Sequence, residues 1–153
     1  MKGNRYESMA ETNRLYAELP AISINESVSR VMISGFLMNI RGVTVGEIEE
    51  VKVALSEAVT NVILHAYPED DKGKIYIKAI LDGNQLTLKV WDKGCGIPNL
   101  TRAMEPMFSG SGSAERTGMG FTVMQSFMDG LDVRSSVDSG TSIVMTKHLG
   151  IGT

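Results

Sequence analysis

The chain has 153 residues, enough for one domain with a sizeable core and with little room for a second. Its hydrophobic share of 42% and charged share of 22% are those of a soluble globular protein, and a net charge of -3 speaks against an obligate nucleic-acid binder, which shows a basic face. One cysteine, Cys95, excludes an intramolecular disulfide and fits a reducing cytoplasm, and no apolar run reaches the roughly 18 residues that span a bilayer.

Residues 1–13 are polar and aperiodic and read as a frayed extension. Leu15, Ala17 and Leu19 alternate with polar residues, which predicts a strand over Arg14–Leu19 stopped by Pro20. Asn25 is the expected N-cap of a helix reaching about Ile40, with Val28, Val31, Met32, Phe36 and Ile40 as its apolar face. Thr44, with Glu47 three residues later, predicts a capping box opening a second helix that ends before the Pro68–Gly73 loop. A hairpin follows, Lys74–Leu81 and Gln85–Asp92, turning at Asp82-Gly83-Asn84.

From Lys93 to Thr117 periodicity is lost in a glycine-, serine- and proline-rich stretch that reads as a functional lid, its most glycine-rich part at Phe108–Ser113. A helix is expected over Gly118–Met128 with Val123, Met124 and Phe127 inward. Two strands then follow, Leu131–Val137 and Thr141–His148, with residues 149–153 as a loose tail. This order predicts one α+β domain over residues 14–148, a two-layer sandwich whose mostly antiparallel sheet is covered by helices on one face.

The second helix carries the most informative pattern. Glu57, Asn61 and His65 are spaced by four residues, each step advancing about 40° around the helix, so the three lean toward one face. Val51, Val53, Leu55, Ala58, Val59, Val62, Ile63 and Leu64 surround them and would bury the helix on nearly every side. Polar groups buried there need partners, because unpaired burial costs about 2–7 kcal/mol, and a ligand is the natural candidate. Taken singly, His65 reads as a satisfied helix-end histidine and Glu57 as a surface acid; the combination is what points to a site.

Three further motifs extend it. Asp92-Lys93-Gly94-Cys95-Gly96-Ile97 ends a strand with a carboxylate able to accept from an exocyclic amine, and its glycines permit close backbone approach, although the same residues also make a plain turn. Gly118-Met119-Gly120-Phe121 opens the last helix, where free N–H groups attract anions. Ser139-Gly140-Thr141 reads either as a hairpin turn alone or as one whose threonine also touches a base.

In chain order these motifs, E-x-x-x-N, D-x-G-x-G, G-x-G and G-T, resemble the Bergerat-type (GHKL) ATPase fold shared by DNA gyrase B, Hsp90, histidine kinases and MutL. The wording SEAVTN, DKGCGIP and ERTGMGF, with Arg30 five residues after Asn25, is similar to the small serine-kinase anti-sigma factors, over roughly Leu15 to Lys147. A histidine kinase is disfavoured, since no dimerising hairpin with a phosphoacceptor histidine is seen.

The resemblance implies ATP or ADP and Mg²⁺ as ligands, with Asn61 ligating the metal and Glu57 acting as general base toward a serine hydroxyl. Asp92 would accept from the adenine amine with Thr141 nearby, and Gly94, Gly96 and Ile97 would shape the base pocket. His65 would lie along the nucleotide's edge, while Thr117, Gly118, Met119, Gly120 and Phe121 would wrap the phosphates. Arg30, with Glu26 and Arg116, would belong to a surface binding a sigma factor of the sigma F type and its anti-anti-sigma antagonist, the kinase's substrate, in a homodimer. The segment MDGLDV and the surroundings of Arg30 favour the sporulation type, hence a prespore setting, over the general-stress (anti-sigma B) type. The different-class alternative is a nucleotide-gated binding module without phosphoryl transfer. The lid departs from the family pattern, with no lysine and extra glycines over Phe108–Ala114.

Overall fold

The computed structural model describes residues 12–105 and 114–150, the backbone alone over 114–119. Strands β1 (Asn13–Pro20), β2 (Lys74–Asp82), β3 (Gln85–Trp91), β4 (Gly130–Ser136) and β5 (Gly140–His148) form one sheet in the order β1-β2-β3-β5-β4. Every pairing is antiparallel. Helices α1 (Ile24–Leu37), α2 (Val45–Asn61) and α4 (Ala114–Phe127) make up the second layer, with a short α3 (Leu100–Ala103) that the sequence pattern did not suggest. The expected α+β sandwich is the observed architecture.

Alternation sets the sheet's two faces. Ile75, Ile77, Ala79, Leu86, Leu88, Val90, Ile143 and Met145 turn inward and are buried, meeting Val51, Leu55, Ala58 and Val59 of α2. The central helix begins at a complete capping box: Glu47 N donates to Thr44 Oγ1 at 3.0 Å and Thr44 N to Glu47 Oε1 at 2.9 Å. It ends in a wider turn of π-helix, Val62–Ala66, a feature frequent at functional sites.

Several expectations are corrected by packing. Helix α1 starts before Asn25, at an N-cap Ser23, because the Asn25 amide is needed elsewhere: Nδ2 donates to Pro20 O at 2.8 Å and anchors the helix to the end of β1. Its buried residues are Asn25, Ser29, Ile33 and Leu37, while Val28 and Val31 face outward. Val53 and Leu64 are likewise exposed, so α2 is buried on one side rather than nearly all round. In α4 the core residues are Phe121 and Met124, joined by Met128 just past the helix end, with Val123 and Phe127 only half-buried.

The domain also runs past residue 148. Leu149 is fully buried, its N–H donating to Asn84 O at 2.8 Å and its carbonyl accepting Asn84 Nδ2 at 2.7 Å. Gly150 N donates to Glu47 Oε2 at 3.0 Å, so a carboxylate already used for capping also fastens the chain end. The expected frayed start and the glycine-serine part of the lid, Phe108–Ser113, lie outside the described residues except for Thr12 and Asn13, and Asn13 already belongs to β1.

Candidate nucleotide site

The π-turn at the end of α2 brings the first two motifs together. Cys95 N donates to Ala66 O at 2.9 Å, and a Cβ on Gly94 would come within 2.1 Å of that same oxygen, so only glycine lets the loop after β3 lie against α2. Cys95 Sγ also lies 3.3 Å from His65 O. Gly94 is therefore required for backbone-to-backbone packing of this loop on the end of α2.

Asp92 is the loop's centre. Its Oδ1 accepts from Gly94 N at 2.9 Å and from Thr141 N at 3.2 Å, leaving Oδ2 without a donor among the described residues. Asp92 is 7% exposed, and burial pushes the pKa of its carboxyl up from the ordinary value despite the opposing pull of those two N–H groups. Gly140, at φ 110, passes so close that a Cβ would meet Asp92 O at 2.2 Å, which explains glycine before Thr141. Thr141 Oγ1 and Ser135 Oγ are 2.8 Å apart, and Ser135 Oγ accepts from Ile97 N at 2.7 Å. The four segments expected around a base (Asp92, Gly94–Gly96, Ile97, Thr141) are thus joined in one hydrogen-bonded unit.

On α2, Glu57 and Asn61 are half-buried and share a neighbour. A Cβ on Gly120 would lie 3.1 Å from Glu57 Oε2 and 3.7 Å from both Asn61 amide atoms, so the bare backbone of α4 faces the acid and the amide. Asn61 Nδ2 is buried without a hydrogen-bond partner among the described residues. Such a donor is costly unless a ligand oxygen meets it, and turning the amide over presents Oδ1 to a cation instead. His65 sits at the end of the stripe, where burial pushes its imidazole below the ordinary value.

The glycine pair of α4 is placed differently from expectation. The helix starts at Ala114, four residues before Gly118, because Ala, Glu and Arg are good helix formers that extend it backward; Gly118 and Gly120 lie inside it rather than at its N terminus. Phe121 is fully buried, so its ring belongs to the core and only its backbone can face a ligand. The side chains of Arg116, Thr117 and Met119 lie outside the described residues.

Arg30 and Glu26 form a fork at 3.0 Å and 3.2 Å, and the Glu26 carboxylate also accepts from Ser56 Oγ. Ser56 precedes Glu57, so this α1 pair is fastened beside the acid of α2. Sequence reasoning missed Tyr67: its hydroxyl donates to Lys74 O at 2.7 Å and accepts from Lys93 N at 2.9 Å, clamping the Asp92 loop. The available signal was Tyr67 paired with Gly73, since a Cβ at 73 would strike the Tyr67 ring at 2.2 Å.

Comparison with known proteins agrees with this geometry. Residues 25–147 match the family model described as the histidine kinase-like ATPase domain. An anti-sigma F factor of Bacillus subtilis (strain 168) is 42% identical over 137 residues, covering 90% of this chain and 93% of its own length. One from Thermoanaerobacter sp. (strain X514) is 44% identical over 142 residues, 93% of this chain and 98% of its own. Among solved structures, the RsbU and RsbW domains of a Mycobacterium tuberculosis protein superpose with a TM-score of 0.65 at 21% identity, over 90% of this chain and 32% of that one. The catalytic domain of the histidine kinase ThkA does so at 0.55 and 14% identity, over 88% and 96%. The chain therefore belongs to the histidine kinase-like ATPase family and, within it, to the anti-sigma F factors.

Proposed function

We propose that the protein is an ATP-dependent protein serine kinase that also sequesters a sporulation sigma factor of the sigma F type, and that its substrate is the anti-anti-sigma antagonist. The observation that carries the nucleotide part is the buried, unpartnered Asn61 amide facing the bare backbone of Gly120 beside Glu57. That set fits a magnesium nucleotide: an amide and a carboxylate, with a glycine leaving room between helices. Among the described residues no cluster of three or more His, Cys, Asp or Glu is present, and Mg²⁺ commonly takes one or two protein ligands plus phosphate oxygens and water.

In this reading Asp92 Oδ2 accepts from the adenine amine while Oδ1 remains occupied by Gly94 and Thr141. Asn61 holds the metal, which supplies charge neutralisation on the phosphates when bound. Glu57 accepts the serine proton as that hydroxyl attacks phosphorus, and ADP leaves. The phosphate cradle is provided by backbone of Thr117–Phe121, and His65 borders the nucleotide.

Partner binding is assigned to α1. Arg30 is held in a fork by Glu26, and Ile24, Val28, Val31 and Met38 form an exposed apolar stripe at spacings of four, three and seven residues along the same helix. This stripe supports pairing with a second copy of the chain, and Arg30 supports engagement of the sigma factor and antagonist. Arg116 is the third partner residue proposed. A cytoplasmic, prespore setting is proposed from the similarity to anti-sigma F factors; no helix among the described residues is long and apolar enough to cross a membrane.

The test is transfer of labelled γ-phosphate to the purified antagonist. Phosphoserine formed by the wild type and lost in Glu57→Ala, with nucleotide binding retained, is the expected result. Sigma-factor binding without any transfer would replace the kinase by a nucleotide-gated module.

A further inference from the structure

Strand alternation places two hydroxyls beside Asp92. Ser135 of β4 stands opposite Thr141 of β5, Val133 opposite Ile143, and Leu131 opposite Met145. Ile143 and Met145 are buried, and Val133 and Leu131 pack against the core, so this row is the face covered by helices. Asp92 belongs to the same face, following the buried Leu86, Leu88 and Val90 at every second position. Ser135 Oγ and Thr141 Oγ1 are 2.8 Å apart there, and both residues are half-buried.

Proton count decides the direction of that bond. A hydroxyl has one proton and two lone pairs, and its proton is placed by its neighbours. One lone pair of Ser135 is taken by Ile97 N at 2.7 Å. Two acceptors compete for the Ser135 proton, Thr141 Oγ1 at 2.8 Å and Gly140 O at 3.4 Å. Only the shorter contact lies within the usual O–H···O range. Ser135 is therefore the donor, and the proton of Thr141 is left over. Among the described residues Thr141 Oγ1 has no second hydrogen-bond partner to receive it.

We propose that Ser135 is a positioning residue for base recognition: it donates to Thr141 Oγ1, and the Thr141 hydroxyl thereby turns its own proton toward a ring nitrogen of the bound base. This inference rests on the reading above in which Asp92 Oδ2 accepts the adenine amine. Beside that amine, at N1, a 6-aminopurine carries a lone pair, whereas a 6-oxopurine carries an N–H. A hydroxyl that shows a proton, directly or through one water, suits the first and opposes the second. Without Ser135 the Thr141 rotor loses the donor that orients it, and its lone pairs can face that of the ring. Ile97 N fixes Ser135 in turn, so the loop after β3 and the β4–β5 hairpin set the hydroxyl together.

The test compares Mg-ATP with Mg-1-deaza-ATP, which keeps the amine and replaces the ring nitrogen by C–H, in calorimetric titrations of the full chain. The wild type should prefer ATP by about three- to tenfold, the worth of one hydrogen bond. Ser135→Ala should reduce that preference to about twofold or less, chiefly by weakening ATP. Thr141→Val should abolish it, and adding Ser135→Ala to Thr141→Val should change the ratio no further. Ser135→Cys, nearly isosteric and a weak donor, should also lower the ratio and keeps the test readable if the alanine variant folds poorly. A merely structural role for Ser135, through its bond to Ile97 N, would weaken both nucleotides alike and preserve the ratio. A preserved ratio in the serine variants, or no preference in a wild type that binds both nucleotides, would overturn the proposal. A wild type that binds neither, or Asp92→Asn binding ATP at full affinity, would remove the adenine reading and this proposal with it.

Discussion

Asp92 and Thr141 hold each other through two hydrogen bonds, Asp92 N to Thr141 O at 3.0 Å and Thr141 N to Asp92 Oδ1 at 3.2 Å. The pairing joins the loop after β3 to the start of β5 and fixes one carboxylate oxygen, so the other is the one available to a ligand. Because burial raises the Asp92 pKa on folding, its contribution to stability is present below the unfolded value and is lost as pH rises through the folded value. At neutral pH the ionised group is therefore less favourable in the fold than in the unfolded chain. Asp92→Asn, whose amide oxygen can still accept from Gly94 and Thr141, should raise the thermal midpoint of the free protein at pH 7 and abolish measurable ATP binding. A variant that binds ATP normally would remove Asp92 from the base pocket. In the wild type, ATP affinity should fall as pH is lowered through the raised pKa of Asp92.

Gly120 tests the acid and the amide from the other side. Ala at this position gains about 0.8–1 kcal/mol of helix propensity, while its Cβ sits 3.1 Å from the movable end of Glu57. Gly120→Ala should keep or raise the thermal midpoint and lower phosphoryl transfer by more than it lowers sigma-factor binding. Unchanged transfer would show that the space between α4 and Glu57 is not used.

Tyr67 clamps the loop after β3 through its hydroxyl. Tyr67→Phe removes a donor from Lys74 O and an acceptor from Lys93 N, two exposed hydrogen bonds whose loss costs about 0.5–1.5 kcal/mol each at most, since water can replace the hydroxyl. ATP affinity should fall in the same variant, with loop protection from amide exchange at Lys93–Cys95 reduced. Full protection there would assign Tyr67 to the fold alone.

Cys95 offers a probe that needs no substitution. It is exposed and lies in the loop between Asp92 and Ile97. Alkylation should be slowed by saturating Mg-ATP, and the alkylated protein should bind ATP more weakly. Equal labelling with and without nucleotide would place the thiol outside the base pocket.

The elements that were legible in sequence are those whose residues answer to one local rule. Alternation alone locates all five strands within a residue or two, and the Thr44/Glu47 box locates the start of α2. Motif spacing on a helix brings Glu57 and Asn61 together, and both meet Gly120 of a distant element. The misreadings have a common cause, a local signal overridden by a tertiary partner. Asn25 looks like a cap but donates to Pro20, and Leu149 looks like tail but is held by Asn84. Val28 and Val31 look like core yet face outward, because apolar periodicity marks a face without saying whether it meets the sheet or another molecule. The helix start at Ala114 was hidden by the Gly118 pair, whose low helix propensity suggested a boundary that stronger neighbours carried past.

The buried Asn61 amide is the group proposed to meet the magnesium nucleotide. Calorimetric titration of Mg-ATP into the wild type, Glu57→Gln and Asn61→Ala measures this directly. Glu57→Gln should bind with nearly wild-type affinity. Asn61→Ala, which removes a buried unpaired donor and so should fold at least as well, should bind at least about tenfold more weakly, a loss of about 1.4 kcal/mol. Full affinity in a folded Asn61→Ala would contradict the assignment.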